Sequence, residues 1–268
     1  MIRPSLICAA LLAAGLTHAA DGLSVGAGLN YSTGDYGSDT TTEIFSVPIT
    51  ARLDSGNWSF RASLPWLRVS GDPNVLPGVG LVPNLNPVGR GRLPVIGGPP
   101  PAGQDTPERG TASGIGDLTL AATWSMPTGT ALGVDFSVNA KIATADEDKG
   151  LGTGANDYGV AVDLYRDFDG TLLFGGLGYT RLGSSRFIDV DDVLGGNLGI
   201  GRRIGSGQLG LMYDYREAAS SGFDARRDLM AFFNAPAGAA GKLQVYLSKG
   251  LSDGSPDWGA GLSLTRSF

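Results

Sequence analysis

The chain has 268 residues, 42% of them hydrophobic, and its mean hydropathy of +0.04 is close to zero. Its net charge is −6 and basic residues do not cluster, which excludes a typical nucleic-acid binder. The single Cys and the single His both lie in the first twenty residues. Beyond them, neither a disulfide nor a thiolate or imidazole metal site can form.

The N-terminal segment has the pattern of a secretory signal peptide. A cationic residue, Arg3, precedes an apolar stretch, and small residues follow at Ala19 and Ala20. We expect cleavage there, which gives a signal peptide at 1–19 and a mature chain at 20–268. Cleavage would remove the only Cys and the only His.

From residue 22 onward, apolar and polar residues alternate in twelve segments, as in strands with one apolar and one polar face. In segment 131–143, for example, apolar residues such as Val134 alternate with polar residues such as Asp135. The predicted strands are 22–33, 42–53, 58–69, 115–126, 131–143, 156–167, 171–182, 193–204, 208–217, 225–234, 242–249 and 258–268.

The connections between these strands are alternately short and long. Short turns are predicted at 54–57, 127–130, 167–170, 205–207 and 235–241. An even strand count with alternating short turns and long loops is typical of bacterial outer-membrane barrels. The sequence therefore predicts an all-β fold, a transmembrane antiparallel up-and-down β-barrel of twelve strands in the outer membrane. A soluble β-sandwich with exposed aromatic residues is the alternative.

The last strand ends the chain on an aromatic residue, Phe268. It resembles the closing strand of outer-membrane barrels, which implies recognition by the barrel-assembly machinery. Aromatic residues near both ends of the strands predict two belts at the membrane interfaces, with lipid and lipopolysaccharide as partners. Pro48 and Pro65 lie inside predicted strands, so we expect bulges or strand ends there.

Charged residues on the predicted inward faces are candidates for a constriction that filters solutes. They are Arg61, Asp117, Asp135, Lys141, Asp157, Asp163, Arg203, Asp214 and Arg216. The alternative is a set of interior salt bridges that satisfy one another. Because both signs of charge occur, no strong preference for anions or cations follows.

A second inward set is apolar and consists of Phe174, Met212, Phe232 and Tyr246. These residues are candidates for a surface that contacts a hydrophobic solute, or else they pack against a plug or loop. The phase of strand 171–182 stays open, because Leu172 and Leu173 place apolar side chains on both faces.

The segment 70–113 is a long loop, rich in Pro and Gly, which we expect on the extracellular side. It is too apolar for a plain disordered loop. Arg90, Arg92 and Arg109 are candidates for a constriction at the barrel mouth. The alternative is that the loop is simply mobile.

The sequence offers little for catalysis. Acidic stretches at 146–148 and 189–192 hold oxygen ligands for Ca²⁺, but solvated loop charge explains them as well. Barrel enzymes of the phospholipase, deacylase and omptin protease types use a His, which the mature chain lacks. We therefore predict no metal site, no cofactor and no enzyme.

Two Gly-rich stretches resemble a known family. The stretches are Gly114-Ile115-Gly116-Asp117-Leu118 and Gly150-Leu151-Gly152-Thr153-Gly154-Ala155-Asn156-Asp157-Tyr158. They are similar to the G-x-G-D-L strand start and the G-x-G-T-G-x-x-D loop of the outer-membrane transporter family named for the MetA pathway of phenol degradation. The family's K-x-P-T-G strand end stands here as Lys141-Ile142-Ala143-Thr144-Ala145. The similarity covers roughly 115–200 well and the remainder loosely.

The resemblance implies a barrel that passes small, often hydrophobic or aromatic, compounds, and it brings no catalytic residues. With the strand pattern, it predicts an outer-membrane channel for small solutes that works by passive or facilitated diffusion. The rival hypothesis is a structural or surface-interaction barrel with a closed lumen.

Overall fold

The computed structural model describes residues 21–86, 90 and 110–268, and these form fifteen β-strands. The strands are β1 (Gly22–Gly34), β2 (Thr42–Ser55), β3 (Trp58–Gly71), β4 (Val75–Leu76), β5 (Gly80–Leu81), β6 (Gly110–Ile115), β7 (Leu118–Met126), β8 (Leu132–Ile142), β9 (Asp157–Phe168), β10 (Thr171–Arg181), β11 (Val193–Ile204), β12 (Gly207–Arg216), β13 (Arg226–Ala237), β14 (Gly241–Gly250) and β15 (Trp258–Ser267). Within these ranges no helix is long and apolar enough to cross a membrane.

Twelve strands close into one antiparallel barrel. Each pairs with its neighbours along the chain, and β1 pairs with β15 from Ser24 opposite Ser267 to Thr33 opposite Trp258. Consecutive β6 and β7 both pair with β3 and act as one strand of the wall. The predicted twelve-strand up-and-down barrel is confirmed, and a sandwich of two sheets is excluded because one sheet closes on itself.

The strand bounds correct the predicted loop at 70–113. β3 extends to Gly71, and β6 begins at Gly110, so the wall takes up both ends of that segment. Inside it, β4 and β5 form a two-stranded hairpin that the alternation pattern did not predict. We call residues 75–81 the mouth hairpin.

The wall strand formed by β6 and β7 contains a bulge opposite Pro65. Trp66 pairs with Ile115 above it and Ser63 with Thr119 below it, so the β6–β7 side holds one extra residue. The amide of Gly116 donates to the carbonyl of Pro65 at 2.8 Å. Pro65, which has no N–H, therefore sits at a bulge, as expected.

Pro48 behaves differently from the prediction. β2 runs through it without a bulge, and Pro48 lies directly opposite Pro65. On the other side, no paired residues join β2 to β1 between Ile49 and Ser46, although the register is unchanged. The strands accommodate the missing N–H of Pro48 by a short break in the β1–β2 pairing rather than by an extra residue.

The outer face of the wall is apolar and exposed. Along the wall strands, exposed apolar residues alternate with buried ones; Leu198, for instance, is 70% exposed. Large aromatic side chains stand out at both ends of the strands, namely Tyr31, Trp66, Tyr158, Tyr179 and Trp258 at the long-loop end and Trp58, Phe60, Phe168 and Phe268 at the short-turn end. Such a surface is suited to lipid, with rings at the two interfaces.

The phase of β10 is settled by its neighbours. Leu172 and Phe174 are buried, whereas Leu173 and Leu177 are exposed. Thus the even-numbered apolar residues point into the barrel, and the odd-numbered ones point outward. The tight turn before β10 has positive φ angles at Asp169 (51°) and Gly170 (83°), as a two-residue hairpin turn requires.

Candidate functional site

Inside the barrel, a row of polar residues crosses six neighbouring strands through positions that lie directly opposite one another in the register. Cross-strand pairing joins Asp135 to Asp163, Asp163 to Gly176, Gly176 to Asn197, Asn197 to Asp214 and Asp214 to Asp228. The four carboxylates are buried, with exposed fractions of 2–7%. We call Asp135, Asp163, Asn197, Asp214 and Asp228 the acidic row.

Several oxygens of the acidic row lack a hydrogen-bond donor within the described residues. One carboxylate oxygen each of Asp163, Asp214 and Asp228 and the side-chain oxygen of Asn197 have no partner there. The other oxygen of Asp228 pairs with Arg226. Buried acceptors without donors are costly, and like charges directly opposite each other repel. The row is therefore a surface that favours positive charge.

Asp163 owes its position to a glycine. A Cβ atom at Gly176 would lie 2.0 Å from Oδ1 of Asp163, so the carboxylate extends over the space that the glycine leaves free. This places the Asp163 carboxylate toward the strand that carries Asn197. The acidic row is thus continuous across β10, where no side chain is present.

The opposite wall carries an isolated positive charge. Going round the barrel, β3 lies six strands from β12 in either direction, so Arg61 is on the strand opposite the one that carries Asp214. Its cross-strand partner is another cation, Arg52, which is bound to Asp54 at 2.8 Å. Arg61 itself has no ion pair among the residues that the structure describes.

A cavity lies between these two surfaces. It has a volume of about 140 Å³ open to the centres of water-sized molecules. Its wall includes Asp163, Asn197 and Asp214 on one side and Arg61 and Thr123 on the other. A single cavity therefore contacts charges of both signs.

Three of the predicted constriction residues form a closed ion-pair cluster instead. Lys141 Nζ lies 3.1 Å from Asp157 Oδ1 and 3.5 Å from Asp117 Oδ2, and it donates to Thr153 Oγ1 at 2.7 Å. Asp117 also accepts from the amide of Thr144 at 3.2 Å. We call Lys141, Asp117, Asp157 and Thr153 the clamp, because it fastens loop 143–156 to the wall.

The clamp brings together the two Gly-rich stretches. Asp117 is in the bulge after β6, and a Cβ at Gly152 would lie 2.9 Å from its carboxylate. A Cβ at Gly116 would lie 2.7 Å from Leu67 and 2.9 Å from Pro65. The glycines of both stretches thus allow close approach of backbone and side chains at this one point.

The inward apolar residues also gather into one cluster. Phe174, Met212 and Phe232 are 1–3% exposed and pack with Leu172 and Met230, and Tyr165 and Tyr246 border them. This cluster lies on the short-turn side of the acidic row, since Phe174 pairs with Tyr165 and Met212 with Met230. Its members are buried against one another rather than displayed to the cavity.

Four inward aromatic rings each cover a glycine on the neighbouring strand. The pairs are Tyr165 over Gly133, Phe174 over Gly199, Phe232 over Gly210 and Tyr246 over Gly261, and each pair is directly opposite in the register. A Cβ at any of these glycines would lie 2.1–2.2 Å from the ring. The rings therefore lie along the wall rather than across the lumen.

The mouth hairpin closes over the interior at the long-loop end. One of its faces, through Val75, packs with Tyr36 and Leu151, and the other, through Leu76, packs with Ile188 and Ala219. Val75 and Leu76 are fully buried. The hairpin is thus held on both sides by loops and wall.

Two arginines anchor the mouth hairpin. Arg90 is 4% exposed and donates through Nη2 to the carbonyls of Asp72 (2.9 Å) and Val75 (2.6 Å). Its burial lowers its pKa to about 10. Arg216, on β12, donates to the carbonyl of Gly78 at 2.6 Å.

The remaining predicted site residues are more scattered. Arg203 lies at the short-turn end, where its side chain is 64% exposed and 3.8 Å from Asp167. Arg92 and Arg109 lie outside the described residues. Sequence reasoning missed Asn197, although its place between Gly195 and Gly199 on the inward face of β11 follows from the same alternation.

The acidic stretch 146–148 is engaged by nearby cations. Asp146 pairs with Lys149 at 3.1 Å, and Glu147 and Asp148 lie 3.7 and 3.9 Å from Arg186. In the described part of the chain, no group of three or more His, Cys, Asp or Glu side chains could hold a metal ion.

No protein-family model matches the chain, and no curated sequence matches it significantly. Among solved structures, an outer-membrane channel from Pseudomonas putida F1 is similar, with a TM-score of 0.68, 13% identity and coverage of 93% of this chain and 96% of that one. The β domain of the Bordetella autotransporter BrkA (TM-score 0.50, 14% identity, 92% and 100%) and the NanC porin (0.50, 10%, 92% and 98%) are also similar. The likeness and the lipid-facing wall show the fold of an integral outer-membrane β-barrel.

Proposed function

We propose that the protein is an outer-membrane channel that lets small solutes diffuse through its barrel. The observation that carries this proposal is the cavity in the barrel interior, lined by Asp163, Asp214 and Arg61. A barrel that served only as a membrane anchor would need no charged cavity, and buried charge is costly to maintain. The structural likeness to a barrel named as a channel supports the same proposal.

The solute class follows from the lining. Small compounds with polar or charged groups fit a cavity that contacts hydroxyls, an amide and charges, such as Thr123, Asn197 and Arg61. Hydrophobic or aromatic compounds, which the family resemblance implies, are the second candidate. They would have to contact Phe174, Met212 or Phe232, which are now buried against one another.

We further propose that the long loops face the outside of the cell and that the mouth hairpin narrows the entrance. Residues 1–19 would act as a signal peptide, and the strand ending at Phe268 would contact the barrel-assembly machinery. Lipopolysaccharide would then surround the long-loop half of the wall.

Solute flux through purified protein in liposomes tests the channel. We expect swelling in arabinose above that of protein-free liposomes, and stepwise conductance in planar bilayers in KCl. A variant with residues 73–109 replaced by a short Gly-Ser linker should swell faster, because the mouth hairpin is gone.

The rival hypothesis, a barrel with a closed lumen, predicts no flux in either protein. Heat-modifiable migration on a denaturing gel must show that both are folded. If both are folded and neither swells nor conducts, the channel proposal is wrong.

A further inference from the structure

We infer that the cavity is a binding site for a small zwitterion, whose ammonium group faces the acidic row and whose carboxylate faces Arg61. The inference deepens the proposed function and rests on it for the route by which the solute arrives. It depends on three features of the cavity, namely its negative side, its positive side and its size.

The negative side has more acceptors than donors, although the Asn197 side chain hydrogen-bonds Asp163. Asp163 and Asp214 are 3% and 6% exposed, and within the described chain each has one carboxylate oxygen without a hydrogen-bond partner. The side-chain oxygen of Asn197, between them, is also without one. An ammonium group carries three N–H donors and a positive charge, so it suits a wall that has more acceptors than donors.

The positive side has a guanidinium without a counter-ion. Arg61 faces the cavity and has no ion pair with any described residue, and its neighbour Arg52 is bound to Asp54. A guanidinium binds a carboxylate through two parallel hydrogen bonds. A carboxylate on the solute would therefore complete this side.

The other charges on the cavity wall are already engaged. Lys141 and Asp157 belong to the clamp, and Arg216 donates to the mouth hairpin. The side chains left to meet a solute are therefore the two aspartates on one side and Arg61 on the other. A purely cationic solute would pair only with the aspartates, and a purely anionic solute only with Arg61.

The cavity suits a small organic molecule rather than a metal ion. Its volume of about 140 Å³ exceeds by roughly tenfold the 10–15 Å³ that one water molecule occupies by the same measure. The acidic side chains come from separate strands, and no group of three among the described residues could ligate a metal.

A series of four-carbon solutes separates the two ends of the site. Binding of 4-aminobutyrate, butylammonium, butyrate and 1,4-butanediol to the detergent-solubilised protein would be measured by isothermal titration calorimetry. We expect 4-aminobutyrate to bind most tightly and the uncharged diol to show no binding.

The variants Asp214→Asn and Arg61→Gln test each end. Each variant should weaken the binding of 4-aminobutyrate at least tenfold, since each removes a charge-assisted hydrogen bond. Butylammonium binding should fall only in Asp214→Asn, and butyrate binding only in Arg61→Gln. Asp163→Asn is a second variant at the negative end, and Asp39→Asn, in an exposed loop, is the control for net charge.

Heat-modifiable migration would show that each variant is folded. Equal binding of 4-aminobutyrate and the diol by the wild type, or unchanged 4-aminobutyrate binding in both end variants, would overturn the inference. Binding without flux in liposomes would leave the site in place and reject the channel. Flux in arabinose without 4-aminobutyrate binding would support the channel and reject the zwitterion site.

Discussion

The clamp and the acidic row are two groups of buried charge on the same inner wall, and they differ in whether the charges are paired. In the clamp, Lys141 lies within 3.5 Å of both Asp117 and Asp157 and also bonds Thr153. In the acidic row, Asp163 and Asp214 have unpartnered oxygens and face other carboxylates. Paired charge holds a loop in place, whereas unpaired charge leaves capacity for a ligand.

Lys141→Met should have the largest effect. It leaves Asp117 and Asp157 buried without their cation, and breaking a buried pair in this way costs about 3–5 kcal/mol. Urea unfolding of the protein in lipid vesicles, followed by Trp fluorescence, would measure the loss. A change below about 1 kcal/mol would show that the clamp does not stabilise the fold.

Phe232→Ala gives an apolar reference for the two charged groups. Phe232 is 1% exposed and lies over Gly210, so truncation should cost about 3 kcal/mol. The neighbouring Phe233, which faces lipid and is 39% exposed, is the matched control. Its change to Ala should cost less in the same urea assay, and equal losses would argue against a packed interior.

Asp163→Asn should act in the opposite direction from the clamp variants. It removes the repulsion with Asp135, so unfolding free energy should rise by up to about 1 kcal/mol. Asp157→Asn, the same change inside the clamp, should instead lower it by about 1–3 kcal/mol. If both variants lost stability equally, the acidic row would be as structural as the clamp.

Lys149→Met should have the smallest effect. Its side chain is 58% exposed and pairs with Asp146 in a surface loop, and such pairs are worth about 0–1 kcal/mol. This variant is also the control for Lys141→Met, because both remove one Lys. A large loss here would mean that loop charge, rather than burial, sets the stability difference.

The strand pattern was predictable because a barrel wall needs only alternation. Once Val134 and its even-numbered neighbours face lipid, Asp135 must face inward, and the same rule places Met212, Asp214 and Arg61. The mouth hairpin was not predictable in this way. β4 and β5 are two residues long, and their burial depends on Tyr36, Ile188 and Ala219 from distant loops.

The division of the inward charges into a clamp and an acidic row could not be predicted either. Asp117, Asp157 and Asp163 are the same residue type on the same kind of face. Asp157 lies directly opposite Lys141 in the β8–β9 register, whereas only the bulge at Gly116 brings Asp117 to the same Lys. Which charge finds a partner depends on contacts between residues far apart in the chain.

Each of the four ring-over-glycine pairs favours the native register of the two strands that it joins. A slip of one residue between β12 and β13 would move Phe232 away from Gly210 and against Leu209 or Leu211. A one-residue slip meets a side chain in place of the glycine at each of the four pairs, so the pairs disfavour that misalignment while the wall assembles. Exchanging the two residues, with Phe at 210 and Gly at 232, should preserve the ring-over-glycine pair, with the ring now on β12 and the glycine on β13.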